Sequence, residues 1–517
     1  MRARWWRRVA ALAALMAVAA GTGRSAGAQS AAPRSAPSPY VSLDDAELPL
    51  LEHLIARGDV EDPSPFVRPF RRSDAMRALV AADSLHPGDA SIAALLRHFG
   101  DPAEPQWWRA AAAAGVEAYT RARRDPLHPA GTGDVTAYAE IQLEAVAGPV
   151  VAVSRLLDEP RIQRDPDWTG VQRGVPSVLC CGWRYPDAYI GLQLGPASIL
   201  YGQTARSWGP SGVPGIGLSD ESYPRPELSF GLRTRDIELM AIASQLEDRQ
   251  DSLGQLVHRF FFAHRLGFRI SRRLQAALWE TTVLAGHERD FDGRYRNPLT
   301  LGVLANLYGF ADRGNILVGA DLRWRVTDGF VVETQVGLDD IANRQSAEGH
   351  PSRYAFTVGA HGRLGGAAGW RAIYTRATSL AFRTFNPQEN LTDAGVGLGR
   401  NSDDNDLLTA VVTVPFRARW LLSPELTLLR QGEGRINDPY PGTREARLAT
   451  PTLFIGTVER TWRAALSVSG QEGPVRLTAS GGYHHIENFE NRPGVTDDRF
   501  EGRILLTLGA GHAGRLH

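Results

Sequence analysis

The sequence predicts an all-β protein: a large transmembrane antiparallel β-barrel of roughly 18 strands, preceded by a small α-helical region on the periplasmic side. Three observations carry that expectation. From Gly131 onward apolar and polar residues alternate with period two in one segment after another. The chain opens with a secretory leader. In the second half short turns alternate with long loops, as in outer-membrane barrels.

The leader is residues 1–28. Arg2, Arg4, Arg7 and Arg8 form a basic start, Val9 to Ala20 is apolar, and Ala26-Gly27-Ala28 is a small-residue cleavage site. The apolar stretch falls short of the roughly 20 residues of a membrane helix. Of 517 residues, 57 are basic and 57 acidic, and every basic one is Arg. Cleavage removes five Arg and no acid, leaving a mildly acidic mature chain. That balance argues against a nucleic-acid partner, which calls for a basic excess or stripe. At 43% hydrophobic residues the chain can bury a core, so wholesale disorder is excluded. Cys180 and Cys181 are adjacent, too close for an unstrained disulfide, and supply neither a zinc site nor a disulfide framework.

Residues 29–39, rich in Ala, Ser and Pro, read as a linker that opens an N-terminal region running to 130; the barrel is placed at 131–517. From Ser42 to about Ala113 the periodicity reads as helical. Ser42 caps a helix beginning near Asp44, with Leu48, Leu51, Leu54 and Ile55 on one face and Gly58 at its end. Ser73 caps a second helix carrying Met76, Leu79 and Val80, and Ser91 to Phe99 suggests a third. Helices this short bury little alone and are expected to pack against the β-rich remainder of the chain.

The strands begin with Val135, Ala137, Ala139, Ile141, Leu143 and Ala145, alternating with Thr136, Tyr138, Glu140, Gln142 and Glu144. First-half strands are expected near 134–146, 148–155, 188–195, 197–203, 227–234, 236–246, 258–269, 274–286 and 298–309. In the second half, Ile316 to Val326 is followed by the hairpin signal Thr327-Asp328-Gly329 and then Phe330 to Leu338. Tyr354 to Leu364 and Phe500 to Leu508 alternate in the same way. Short turns are read at 327–329, 364–369, 421–424 and 470–474, and long loops at 339–353, 384–406, 431–450 and 486–498. Counted literally, the strands put 204–226 on the periplasmic side or inside the lumen, so either it folds inward as a plug or a strand is miscounted. A soluble sandwich or propeller also alternates. Charges repeated on the inward face, and Trp324, Trp420 and Trp462 near strand ends, favour the membrane barrel.

No HExxH, G-x-S-x-G or GxxxxGK[ST] pattern occurs. His484 and His485 are neighbours on a strand and so point to opposite faces. A catalytic site would have to be assembled from residues such as His258, His264 and Asp220, and nothing fixes them together; no enzyme, cofactor or metal is expected. The richest polar region is 201–300, with Tyr201 to Pro210, Leu218 to Pro226, Arg259 to Leu266, Trp279 to Thr281 and Arg294 to Pro298. Its Gly and Pro make a constrained loop. Aromatic faces beside Arg, Asp and Asn suit a sugar, and the Arg fork suits a carboxylate. The same residues also suit mutual bracing inside a lumen.

The ordered elements Trp208-Gly209-Pro210, Pro224-Arg225-Pro226, His264-Arg265-Leu266 and Asn297-Pro298 resemble the Wzi family of capsule assembly proteins. The layout of leader, helices and barrel is similar too. The resemblance implies a non-enzymatic outer-membrane lectin of a Gram-negative bacterium that attaches or organises capsular polysaccharide at the cell surface. It implies ligand-binding motif positions at Arg206, Trp208, Gly209, Pro210, Ser219, Pro224, His264, Arg265, Glu280 and Asn297. Two departures stand out: Gly509 to His517 trail the last strand with no terminal aromatic, and the Cys180-Cys181 loop has no family counterpart. Expected partners are capsular or other surface polysaccharide, outer-membrane lipid and capsule-export machinery docking on the helices. External loops such as 384–406 are expected to meet the polymer, with divalent cations as one route. The competing expectation is a porin for sugars or other small solutes, which requires an open lumen.

Overall fold

A computed structural model describes residues 36–102, 104–120, 134–158, 183–289, 297, 300, 302, 314–340 and 349–516. Eighteen antiparallel strands close into a barrel. In chain order they are β1 Gln106–Tyr119, β2 Val135–Ala147, β3 Val150–Asp158, β4 Trp183–Leu194, β5 Ala197–Gln203 and β6 Glu227–Arg233. Next come β7 Ile237–Gln245, β8 Leu256–Arg269, β9 Leu274–Gly286, β10 Asn315–Thr327, β11 Phe330–Asp340 and β12 Arg353–Gly365. The last are β13 Ala368–Ala377, β14 Asn405–Arg417, β15 Trp420–Gln431, β16 Glu459–Glu472, β17 Val475–Glu487 and β18 Thr496–Arg515. β18 closes on β1, in register from Trp107↔Arg515 to Tyr119↔Arg503. Closure pairs backbone groups that an open edge would leave bare in hydrocarbon.

The alternation sorts each strand into two faces. On β10, Leu322 and Trp324 are exposed on the outside while Asp321 and Arg323 are buried inside. Arg323 Nε donates to Glu333 Oε1 of β11 at 3.0 Å. Aromatic belts mark both ends of the wall. Toward the short turns Phe330 stacks on Trp370 and Phe416 tilts against Trp420; toward the loops Phe356 packs between Tyr354 and Tyr374. Turns such as 148–149, 328–329 and 473–474 lie at the end that holds the start of β1 and the end of β18. Long connections such as 204–226, 378–404 and 432–458 lie at the other. Short turns face the periplasm in this architecture.

Two strand assignments from sequence fail, and they cancel. β1 falls where the pattern reads as helix up to Ala113. Its run from Arg109 to Gly115 is almost all Ala, which shows no amphipathic contrast, and pairing on both sides with β2 and β18 decides its state. The expected strand at 298–309 lies mostly outside the described residues. It has no place in the sheet, because β9 pairs directly with β10 from Leu274↔Trp324 to Val283↔Asn315. With β1 counted, 204–226 is a loop-end connection, and it also folds inward. The turn expected at 421–424 is shifted to 418–419, and Pro424 sits within β15 opposite Leu466. Gly509 to Arg515, expected to trail the barrel, are part of β18. Residues 1–35, Cys180 and Cys181 lie outside the described residues.

Three helices fill the short-turn mouth: α1 Leu48–Arg57, α2 Arg72–Leu85 and α3 Ala90–Phe99. Pro49 sits in the first turn of α1 and Gly58, at φ 79°, closes it in the left-handed conformation. Asp89 caps α3, accepting from the Ser91 and Ile92 N–H groups. Ser73 lies inside α2, where its N–H donates to Ser38 Oγ. Leu51, Leu79, Ile92 and Leu95 form a fully buried centre that extends to Leu421 of β15. The wall holds this plug by hydrogen bonds from the His361 ring to Ala56 O at 2.8 Å and the His53 ring to Ala367 O at 3.1 Å.

Within the plug, the His98 ring meets Asp45 at 2.9 Å. Burial works against both charges, but their attraction and hydrogen bond win: Asp45 is lowered to about 2 and His98 is raised. The His98 contribution is complete below the ordinary histidine value of 6.5 and is lost as pH rises through the raised value. The Asp45 contribution is complete above 3.8 and is lost as pH falls toward about 2. Amide-exchange protection of α3, corrected for intrinsic rates, is therefore expected to peak between those limits. His98→Gln should flatten its decline at high pH; an unchanged decline would show that this pair does not set it.

Candidate functional site

The lumen is filled along its axis by segments from both ends. Residues 204–226 descend from the loop end and meet the plug in mid-barrel, where Ser207-Trp208 pairs antiparallel with Val67-Arg68. Gly209 N–H donates to Phe66 O at 2.9 Å. A Cβ on Gly209 would come 2.8 Å from Gln335 Oε1 and 2.9 Å from Gly215 Cα, so the close approach excludes a side chain. Trp208 is 1% exposed in a core shared with Val67 of the plug, Ile216 and Leu218 of its own loop, Phe261, Trp279 and Leu317 of the wall, and Leu391 and Leu398 of the 378–404 loop. Arg206, also buried, donates from Nε to Glu227 Oε1 at 2.6 Å, and its guanidinium lies 5.7 Å from the Tyr40 ring centre.

The loop-end segments are stitched to one another. Ser219 Oγ donates to Gly399 O at 2.6 Å, and Ser219 N–H to Leu398 O at 3.0 Å. Asp404, at φ 54°, accepts from the N–H groups of Gly434, Phe454 and Ile455, joining 378–404 to 432–458. Much of the 384–406 stretch, expected to face outward, is thus inside: Leu391, Thr392, Val396 and Leu398 are buried. Its apolar residues complete the lumen core, and no group of three or more His, Cys, Asp or Glu suited to a metal occurs among the described residues. Arg259 of β8 anchors this loop by donating to the carbonyls of Gln388, Asn390 and Thr392. Arg259→Ala removes three hydrogen bonds that hold this loop to the wall, each worth about 1–3 kcal/mol because the donor is charged. Limited proteolysis should then cut 384–404 at least tenfold faster than in the native protein; equal rates would show the loop to be held elsewhere.

Sequence neighbours part company on β8 and β9. Arg265 faces the lumen, 3.0 Å from Asp321, which also accepts from the Trp279 indole at 3.0 Å. His264 and Glu280 face outward, as do Leu266 and Leu278 beside them in register. Their side chains are buried there and bonded to each other at 3.0 Å, and Glu280 also accepts from Gly302 N–H. Pro210 and Pro224 line a polar cavity of the lumen, and Asn297 is exposed. The ten motif positions therefore form no single site. Arg206, Trp208, Gly209, Pro210, Ser219, Pro224 and Arg265 belong to the lumen filling, His264 and Glu280 to the outer face, and Asn297 is exposed.

Filling is uneven around the barrel. The side made by β7–β13 meets the inward segments in a dry core. The opposite side keeps two polar cavities, of about 690 Å³ and 500 Å³. At their boundary Arg155 of β3, 3% exposed, binds Asp44 of the plug together with Glu140 at 2.6 Å and Asp187 at 3.1 Å of the wall. No sequence motif marks this cluster. The available signal was parity: Arg155 is in phase with Val151, Val153 and Leu157, all buried on the inward face of a strand.

The chain matches no protein-family model and no curated protein. Among solved structures it is similar to Wzi of Escherichia coli, an outer membrane protein involved in group 1 capsule assembly and described as a carbohydrate-binding β-barrel. The identity is 15%, the TM-score 0.60, and the match covers 91% of this chain and 99% of that one. It is similar also to OccD3 (OpdP) and OprD of Pseudomonas aeruginosa, each at 10% identity over 79% of this chain and 92% or 93% of theirs, with TM-scores of 0.44 and 0.43. The likeness to Wzi, with the closed wall, establishes the fold: the chain is an 18-stranded β-barrel of the Gram-negative outer membrane.

Proposed function

We propose that the protein is a non-enzymatic, lectin-like outer-membrane barrel that attaches or organises capsular or related surface polysaccharide. The observation that carries the reading is the stitched lumen: plug, inward loop and loop-end segments interlock, so the barrel presents a fixed outer surface in place of the open bore a sugar porin needs. The loop end carries rings beside cations, the pairing that suits sugar faces and acidic groups. Arg353 lies 5.8 Å from the Tyr440 ring centre and Arg492 5.9 Å from that of Phe489, while Phe385 is 71% exposed. The carbohydrate-binding description of the E. coli neighbour agrees with this reading. The ten motif positions act here as scaffold, and the polymer meets the loop end. The N-terminal helices form a periplasmic surface on which export machinery docks.

The test is the division of surface polysaccharide between cell-bound and released fractions. Loss of the gene should move polymer into the medium with total synthesis unchanged, and Phe385→Ala with Tyr440→Ala should reproduce a large part of that shift in a folded barrel. An unchanged division on deletion would remove the attachment reading, and the conductance of the purified barrel would then decide for or against a porin.

A further inference from the structure

We infer that the wall formed by β1–β4 and β16–β18 carries a latent ion-conducting passage, held shut where Asp44 of the plug meets Arg155. The first cavity lies between the plug and the inward loop, and Arg503, Arg184 and Asp220 are among its lining residues. The second runs between the plug and the barrel wall, past Arg476 and Thr507, to Gln471 and Pro474 at a short turn. Both are lined by Ser42, Asp44 and Arg155. Those three residues are thus the partition between one space reaching toward the loops and another reaching the periplasmic turns.

The span is long enough to matter. Arg503 lines the first cavity and Ala513 the second, on the same strand. Their separation is about ten residues, about 33 Å along the strand and about 25 Å along the axis at the usual tilt, the height of the apolar band of such barrels. Charged side chains line both spaces, Arg184, Asp220 and Arg503 in the first and Arg72, Arg109 and Arg476 in the second, whereas the β7–β13 side of the lumen holds a buried apolar core.

The partition is also asymmetric in a way that makes it a latch. Arg155 is held by Glu140 and Asp187, both on the wall, whether or not Asp44 is present. Asp44 comes from the plug, and its side chain is 49% exposed. Ser42 Oγ joins it to Asp187 at 2.8 Å. Removing the plug's two side chains leaves Arg155 paired with Glu140 and Asp187 on the wall and joins the two spaces.

Planar-bilayer recording of the full chain in potassium chloride tests this. The native protein should show no steady steps. Ser42→Ala/Asp44→Ala should show stable single-channel steps at least tenfold above the native baseline. Adding Gln471→Cys to that variant, with Cys180 and Cys181 replaced by serine, should let a charged thiol reagent cut the current by at least half. A double variant that migrates as a folded, heat-modifiable barrel yet stays silent overturns the inference. So does a current indifferent to modification at Gln471→Cys, which would place the leak elsewhere, and so do steady steps from the native protein. If the double variant does not fold, Asp44→Ala alone, which removes the plug side chain that meets Arg155 and keeps Ser42, carries the same expectation and the same refutation.

Discussion

Trp208→Ala is expected to cost about 3–5 kcal/mol, the usual range for emptying a buried tryptophan site. The loss should appear as release of the plug. Trp208 is the largest fully buried side chain of a core to which four parts of the molecule contribute: Val67 of the plug, Ile216 and Leu218 of the inward loop, Phe261, Trp279 and Leu317 of the wall, and Leu391 and Leu398 of the 378–404 loop. The barrel's own ladder does not pass through it, so the strands should persist while the interior loosens. Residues 36–102 should become accessible to periplasmic-side proteolysis, and denaturant unfolding should show an early phase for the interior before the barrel opens. Trp208→Phe should lose much less. It keeps an aromatic ring in the core, and the indole Nε1 has no hydrogen-bond partner among the described residues, so no bond is forfeited. If Trp208→Ala shifts plug release by less than about 1 kcal/mol, the stitched-lumen account of this residue is wrong.

The architecture was legible in the sequence because a membrane barrel imposes period two on every strand and keeps its turns short on one side. Strand after strand, from Val135 to Phe500, obeys that rule, and the expected total of strands agrees with the structure. The total was right through two compensating errors, each with a physical cause. The alanines of β1 carry no contrast between faces, so its state is set by partners more than 380 residues away, such as Leu508 opposite Ala114. The apolar run at 298–309 alternates much as a strand does, but β9 and β10 pair directly with each other and the wall is complete without it. The site was less legible. The resemblance implies ligand-binding motif positions and the residue types suit bracing equally, and a motif that runs along a strand places consecutive residues on opposite faces, as His264 and Arg265 show. Chain order cannot reveal that Trp208 meets Val67, or that Asp44 meets Arg155. Those contacts exist only because three segments enter one lumen from two ends.

The outward pair supplies the sharpest test of what the motif residues do. Glu280→Leu alone leaves His264 buried on the outer face without its carboxylate, and His264→Leu alone takes the ring away from a buried Glu280 that still accepts from Gly302 N–H. Breaking a buried pair by removing one member costs about 3–5 kcal/mol, because a buried ionisable group loses the partner that offsets its desolvation. The double variant His264→Leu/Glu280→Leu matches an apolar pair to the flanking Leu266 and Leu278, which face the same way in the same register. It gives up the bond from Gly302 N–H, at about 1–3 kcal/mol. Its loss should therefore be smaller than the sum of the two single losses, with a coupling energy above about 1 kcal/mol in the double-mutant cycle. A ligand role and a structural role diverge at the cell surface. If the pair only holds the outer face together, the double variant retains polysaccharide as the native protein does at equal surface level. If the two residues bind sugar through the motif, retention falls in the double variant even though its fold is restored, and the assignment of the polymer to the loop end would have to be given up.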